Sequence, residues 1–150
     1  MRISFGYDGA GKALAEELIR HAQGLGHACV DCGPSGESPS DYPVYAQRAA
    51  WKVLSLECDA GVLVCGTGVG MSMAANKIKG IRCALCADCY SAKMTRAHND
   101  ANMIALGART LGPELAKMIL DFFLTTPYLG DRHQHRVDMI AKLEADGALE

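Results

Sequence analysis

Short apolar runs alternate along this chain with longer stretches in which apolar residues recur every three or four positions. The runs Ile3–Asp8, Ala28–Cys32, Gly61–Cys65, Arg82–Cys86 and Met103–Leu106 are mostly apolar, as expected for strands buried on both faces of a parallel sheet. The stretches between them have helical spacing. Ala10–Gln23 sets Leu14, Leu18, Ile19 and Ala22 on one face and stops at Gly24-Leu25-Gly26. Tyr42–Leu56 carries Ala46, Ala49, Ala50, Val53 and Leu54, with Asp41 as an N-cap and Pro43 in the first turn. Val69–Lys77 is short and rich in small residues, and Ser91–His98 follows an Asp-Cys-Tyr turn. Pro113–Leu124 repeats Leu115, Ile119, Phe122 and Phe123, and a last helix is expected over about Val137–Ala145. Five βα units in succession predict one domain spanning residues 1–150, an α/β protein with three α/β/α layers around a five-stranded parallel sheet.

That architecture directs attention to two loops, because ligands of such folds bind beyond the carboxyl ends of the strands. One is Tyr7-Asp8-Gly9-Ala10-Gly11 after the first strand. The other runs from Cys65 to Gly70 after the third. If those strands are neighbours, the loops face each other. In the second loop Gly66, Gly68 and Gly70 alternate and lead into a helix, so the backbone can approach a ligand closely with N–H groups free to meet negative charge. Thiols beside helix starts give up their proton more readily, which suits Cys65 to act as a base or nucleophile. A packing cysteine is the competing reading.

Composition narrows the classes. Hydrophobic residues are 49% of the 150, charged residues 21%, and the formal net charge is −2. That is a globular balance without the basic excess of a nucleic-acid binder or an anionic-membrane binder. No apolar run has membrane-span length, and the start MRISFGYDG lacks a secretory apolar core. A cytoplasmic protein is expected, with its seven cysteines as thiols.

Several familiar motifs fail. The alternate glycines are not GxGxxG, and no Asp or Glu lies at a strand end about twenty residues beyond them. GYDGAGKA matches GxxxxGK, but Ala13 replaces the Ser or Thr that would hold magnesium. Met71 stands where a cysteine phosphatase loop carries arginine. Cys29/Cys32 and Cys83/Cys86/Cys89 have metal-like spacing, but in strands C-x-x-C sends its side chains to opposite faces. His133-Gln134-His135 lacks a carboxylate or thiol at ligand spacing, so no metal is expected. Two further clusters could carry chemistry. Arg96-Ala97-His98-Asn99-Asp100 closes the fourth helix with an acid–base imidazole. Arg132 and Arg136, at i and i+4, can clamp a phosphate from one helical face.

Taken together, GYD after the first strand, DYP at 41–43, CGTGVGMSMAANK at 65–77, YSA at 90–92, RAHNDANM at 96–103, GAR at 107–109 and RHQHRV at 132–137 closely resemble the ribose-5-phosphate isomerase B family, which includes galactose-6-phosphate isomerase subunits. The resemblance runs from about residue 2 to 145. It implies a Rossmann-like sandwich that interconverts phosphorylated aldoses and ketoses without a cofactor. It implies a homodimer or dimer of dimers with the site between subunits and the C-terminal helix at the interface. Cys65 would move a proton between C1 and C2 through a cis-enediolate, and Thr67 with the backbone of Gly66, Gly68, Val69 and Gly70 would hold that intermediate. His98 would open the sugar ring. Asp8 and Asn99 would bind hydroxyls or ring oxygen, while Arg109, Arg132 and Arg136 would bind phosphate. Some branches use a glutamate shortly after the loop as base; Met71 and Ser72 leave that role to Cys65. The chain departs at Gly9, where the family usually has histidine near the substrate phosphate. Ribose 5-phosphate/ribulose 5-phosphate is the default pair. Allose or galactose 6-phosphate, erythrose/erythrulose 4-phosphate, or sugar-phosphate binding without turnover are the alternatives.

Overall fold

The computed structural model describes residues 1–35 and 41–149. Five strands, β1 (Arg2–Tyr7), β2 (Ala28–Asp31), β3 (Ala60–Cys65), β4 (Cys83–Leu85) and β5 (Met103–Gly107), form one sheet in the order β2-β1-β3-β5-β4. Every pairing is parallel. Among the described residues six helices connect or follow them: α1 (Lys12–Gly24), α2 (Tyr42–Leu54), α3 (Val69–Ala75), α4 (Cys89–Asn99), α5 (Pro113–Thr125) and α6 (Arg132–Asp146).

Alternation along the strands builds two cores. Ile3, Phe5 and Tyr7, Val62 and Val64, and Ile104 and Leu106 pack under α1, α4 and α5. Leu63, Cys65, Met103 and Ala105 pack under α2 and α3. The second interface is close because it is made of small residues. Ala46, Ala49 and Ala50 of α2 are fully buried. They lie over Ser4, whose hydroxyl donates to the Ala49 carbonyl at 3.0 Å. This is the three-layer architecture that the alternating runs predict. Among the described residues no helix is long and apolar enough to cross a membrane.

The element boundaries move where local chemistry overrides periodicity. α1 begins at Lys12, not Ala10, because residues 8–11 form a turn in which Gly11 N–H donates to both the Asp8 carbonyl (3.1 Å) and Asp8 Oδ1 (2.9 Å). Asp41 occupies the N-cap of α2, but its side chain makes no capping bond. α4 begins at Cys89, capped by Asp88, whose carboxylate accepts from Ser91 N–H (2.7 Å) and Ser91 Oγ (2.7 Å). β4 is confined to Cys83–Leu85, the three positions with partners in β5. α6 starts at Arg132, five residues before the expected Val137, after a turn in which Gly130 (φ 67°) and Asp131 (φ 47°) are left-handed.

The metal-like cysteine pairs divide as strand geometry requires. Cys29 and Cys86 join the core under α1 and α4; Cys32 and Cys83 join the core under α2 and α3. Burial pushes the Cys83 thiol up to about 12, and Cys32 and Cys86 to about 11. Cys89 is half-buried against the first core at the start of α4.

Candidate active site

The carboxyl ends of β1, β3 and β5 lie side by side, since Tyr7 pairs with Val64 and Cys65 with Gly107. The three loops that follow are joined by backbone bonds. Asp8 N–H donates to the Val64 carbonyl (3.3 Å), Ala108 N–H to Cys65 (2.8 Å) and Arg109 N–H to Gly66 (2.9 Å). Asp8, Cys65, Gly66–Gly70 and Arg109 are therefore neighbours.

Cys65 ends β3 and is 6% exposed. Its Sγ accepts from Gly68 N–H at 3.2 Å, so the loop turns back and aims a donor at the sulfur. Gly68 makes that turn with φ 79°, the left-handed region where a Cβ is costly. Thr67 is exposed, and its Oγ1 accepts from Val69 N–H at 3.3 Å. The Arg109 side chain lies along Gly66, its Nη1 3.5 Å from where a Cβ would stand. The ring of Tyr42, at the start of α2, covers Gly70 so closely that a Cβ there would lie 2.6 Å from it. Gly9 differs: nothing lies within 4 Å of its Cβ direction.

A second cluster forms where α4 ends. His98 is half-buried and Asn99 exposed. Asp100 (φ 44°) reverses the chain and is held by Arg82 Nη2 (3.1 Å) and Arg96 Nη1 (3.0 Å). Arg96 thus serves the turn. Leu129 N–H donates to the Ala97 carbonyl (3.0 Å), which fastens the start of α6 to this end. His133, 7% exposed, stacks on His98 with ring centroids 4.2 Å apart and planes 5° apart. Burial, then the neighbouring His98, Arg132 and Arg136, hold the His133 imidazolium below the usual histidine range, with Asp131 opposing. Arg132 and Arg136 are exposed on the first turns of α6.

The two clusters do not meet within one chain. α4 returns to the amino edge of the sheet, where Gly61 N–H donates to the Asn102 carbonyl (3.0 Å). Cys65 lies at the carboxyl edge, four residues along β3 from Gly61, a rise of about 13 Å. The chain thus groups Asp8, Gly9, Cys65, Gly66, Thr67, Gly68, Val69, Gly70 and Arg109 in one cluster, and His98, Asn99, Arg132 and Arg136 in the other. Sequence reasoning gave no role to Tyr42 or His133. Tyr42 was visible in DYP and His133 in RHQHRV, but their contacts are tertiary.

The first cluster can place a sulfur base next to backbone donors and a guanidinium. The second offers an imidazole and two cations. The whole arrangement suits proton transfer on a phosphorylated substrate. A family model described as Ribose/Galactose Isomerase matches residues 3–140. Ribose-5-phosphate isomerase B of Escherichia coli (strain K12) is 46% identical over 143 residues, 95% of this chain and 96% of that protein. The structure of Clostridium thermocellum ribose-5-phosphate isomerase B superposes with a TM-score of 0.94 at 42% identity, covering 99% of this chain and 100% of that one. Type B ribose 5-phosphate isomerase of Trypanosoma cruzi gives 0.92 at 43% identity, with 98% of each chain covered.

Proposed function

The chain belongs to the ribose/galactose isomerase family, and from that premise we propose that it interconverts ribose 5-phosphate and ribulose 5-phosphate through a cis-enediolate. It is an aldose–ketose isomerase of phosphorylated sugars. The observation that carries the mechanistic reading is the sulfur of Cys65, at the strand tip, accepting the Gly68 N–H at 3.2 Å. Cys65 removes the C2 proton of the open-chain aldose. The electron pair forms the C1–C2 double bond and the carbonyl oxygen at C1 becomes an oxyanion. The C2 hydroxyl proton then passes to the C1 oxyanion, and as the C2 oxygen becomes the carbonyl the same sulfur returns its proton to C1, which leaves the C1 hydroxyl of the ketose. An α-hydroxycarbonyl proton is weakly acidic, so the charge on oxygen must be met by fixed donors. That role falls to the backbone of the Gly66–Gly70 loop, in which the Gly68 N–H already meets the Cys65 sulfur and the Val69 N–H meets Thr67 Oγ1, and to the hydroxyl of Thr67.

Before this, the cyclic sugar must open. His98 gives a proton to the ring oxygen as the C1–O bond breaks, and the anomeric hydroxyl releases its proton to solvent water as C1 becomes the aldehyde. Asp8 and Asn99 hold hydroxyls, and Arg109, Arg132 and Arg136 bind the phosphate. The separation of the two clusters along the sheet supports a homodimer in which Cys65 of one copy works with His98 of the other. The exposed apolar residues Met139, Ile140 and Leu143 support a place for α6 at the contact between copies. We place the enzyme in the cytoplasm, where its cysteines persist as thiols.

A second reading concerns substrate length. Gly9 stands where the family usually has histidine, and the space beside it is open. A six-carbon or four-carbon sugar phosphate is thereby admitted. Turnover of four-, five- and six-carbon sugar phosphates, measured as aldose–ketose ratios over time, tests both readings. Ribose 5-phosphate with the highest kcat/KM supports the first; a four- or six-carbon substrate ahead of it supports the second. No turnover of any overturns both and leaves a binding subunit.

A further inference from the structure

The reaction assigned to His98 needs one imidazole in a fixed orientation, free to give a proton. His98 stands next to the end of a helix, half-exposed, where a side chain has freedom to turn. What restrains it is the parallel stack with His133. His133 is itself fixed. It is buried, its backbone N–H donates to the Gly130 carbonyl at 2.9 Å, and the turn before it is fastened to α4 through Leu129.

We propose that His133 is a positioning residue for ring opening: its flat, buried imidazole holds the His98 ring by stacking and remains uncharged, so the pair carries one proton and His98 carries it. The inference rests on the ring-opening role given to His98. The charges around His133 favour this division. Arg132 and Arg136 on its own helix and His98 on α4 all oppose a proton on His133, while Asp131 favours one. Two imidazolium rings face to face at 4.2 Å would also repel each other with little water between them. Placing the proton on the more exposed ring avoids both costs.

Two variants separate orientation from mere packing. His133→Phe keeps a flat ring that cannot titrate, and His133→Ala removes the stack. The expected result is that His133→Ala lowers kcat for ribose 5-phosphate about tenfold or more, the scale on which a misplaced proton donor acts. Turnover of erythrose 4-phosphate, which cannot close a ring through its phosphate-bearing oxygen, should be unchanged. His133→Phe should recover most of the loss. Imidazole NMR of the unmodified protein reports on the pair independently of activity: His133 should keep its neutral-form shifts through the pH range in which His98 responds. Protonation of both rings together overturns the proposal. So does a His133→Phe defect equal to that of His133→Ala, or an equal loss on erythrose 4-phosphate. If the parent protein turns over no sugar phosphate, the isomerase reading fails instead, and the NMR result still decides the state of the pair.

Discussion

Gly68→Ala probes the turn that aims a backbone donor at Cys65. The native φ of 79° is left-handed, where an L-residue costs about 1–2 kcal/mol. An added Cβ would lie 2.6 Å from Leu85 Cδ1 and 3.0–3.1 Å from the Leu106 carbonyl group. The first contact is with the end of a side chain, which can turn away. The second is with the backbone of a central strand, which cannot. Overpacking of that kind costs about 1–3 kcal/mol. The sum is about 2–5 kcal/mol, a fall in Tm of about 4–20 °C for a chain of this length. Because the N–H bonded to Cys65 belongs to the substituted residue, kcat should also fall, by about tenfold to a hundredfold. Scanning calorimetry and steady-state kinetics read the two effects. Leu85→Ala in the same chain should recover the side-chain part of the Tm loss but not the backbone part. A Gly68→Ala variant melting within about 2 °C of the parent would refute the claim that this position requires glycine.

Three further outcomes follow from the same geometry. His98→Asn should slow ribose 5-phosphate far more than erythrose 4-phosphate; equal losses would remove ring opening from its role. Gly9→His should improve ribose 5-phosphate affinity by about tenfold to a hundredfold if the new imidazole makes a charge-assisted bond to phosphate. The open space at Gly9 should accept it, and an unchanged substrate ranking would show that position 9 does not set specificity. Asp88→Asn tests the cap of α4. The Ser91 N–H and hydroxyl hold the Asp88 carboxyl below its usual range. Its contribution to stability is therefore present at neutral pH and lost as pH falls through the native pKa. The amide should reduce the acid dependence of Tm below about pH 4; an identical acid profile would show that the cap carries none of it.

The strands were legible because β3 and β5 are buried on both faces and read as unbroken apolar runs. The start of α6 was not. Arg132 to Arg136 contain no apolar residue to announce a helix, and the signal that sets its start is the backbone of Gly130 and Asp131. The Cys65 loop could be found from its glycines and its place after a strand. Its turn onto the sulfur, the cover from Tyr42 and the stack of His133 on His98 depend on which elements become neighbours. The division of the proposed site has the same origin. Sequence points to Cys65 and to His98 but not to their distance: β5 lying between β3 and β4, with α4 returning to the opposite edge, sets His98 apart from Cys65.

Complementation between two inactive variants tests the shared site most directly. Cys65→Ala and His98→Asn chains are each prepared alone, then dissociated and reassociated together, with ribose 5-phosphate as substrate. In a mixed dimer one site receives both substitutions and the other receives neither. Random pairing should then restore about a quarter of the parent kcat per chain, since half the dimers are mixed and each has one intact site. A mixture no more active than the two variants measured separately would contradict a site built from Cys65 of one copy and His98 of another.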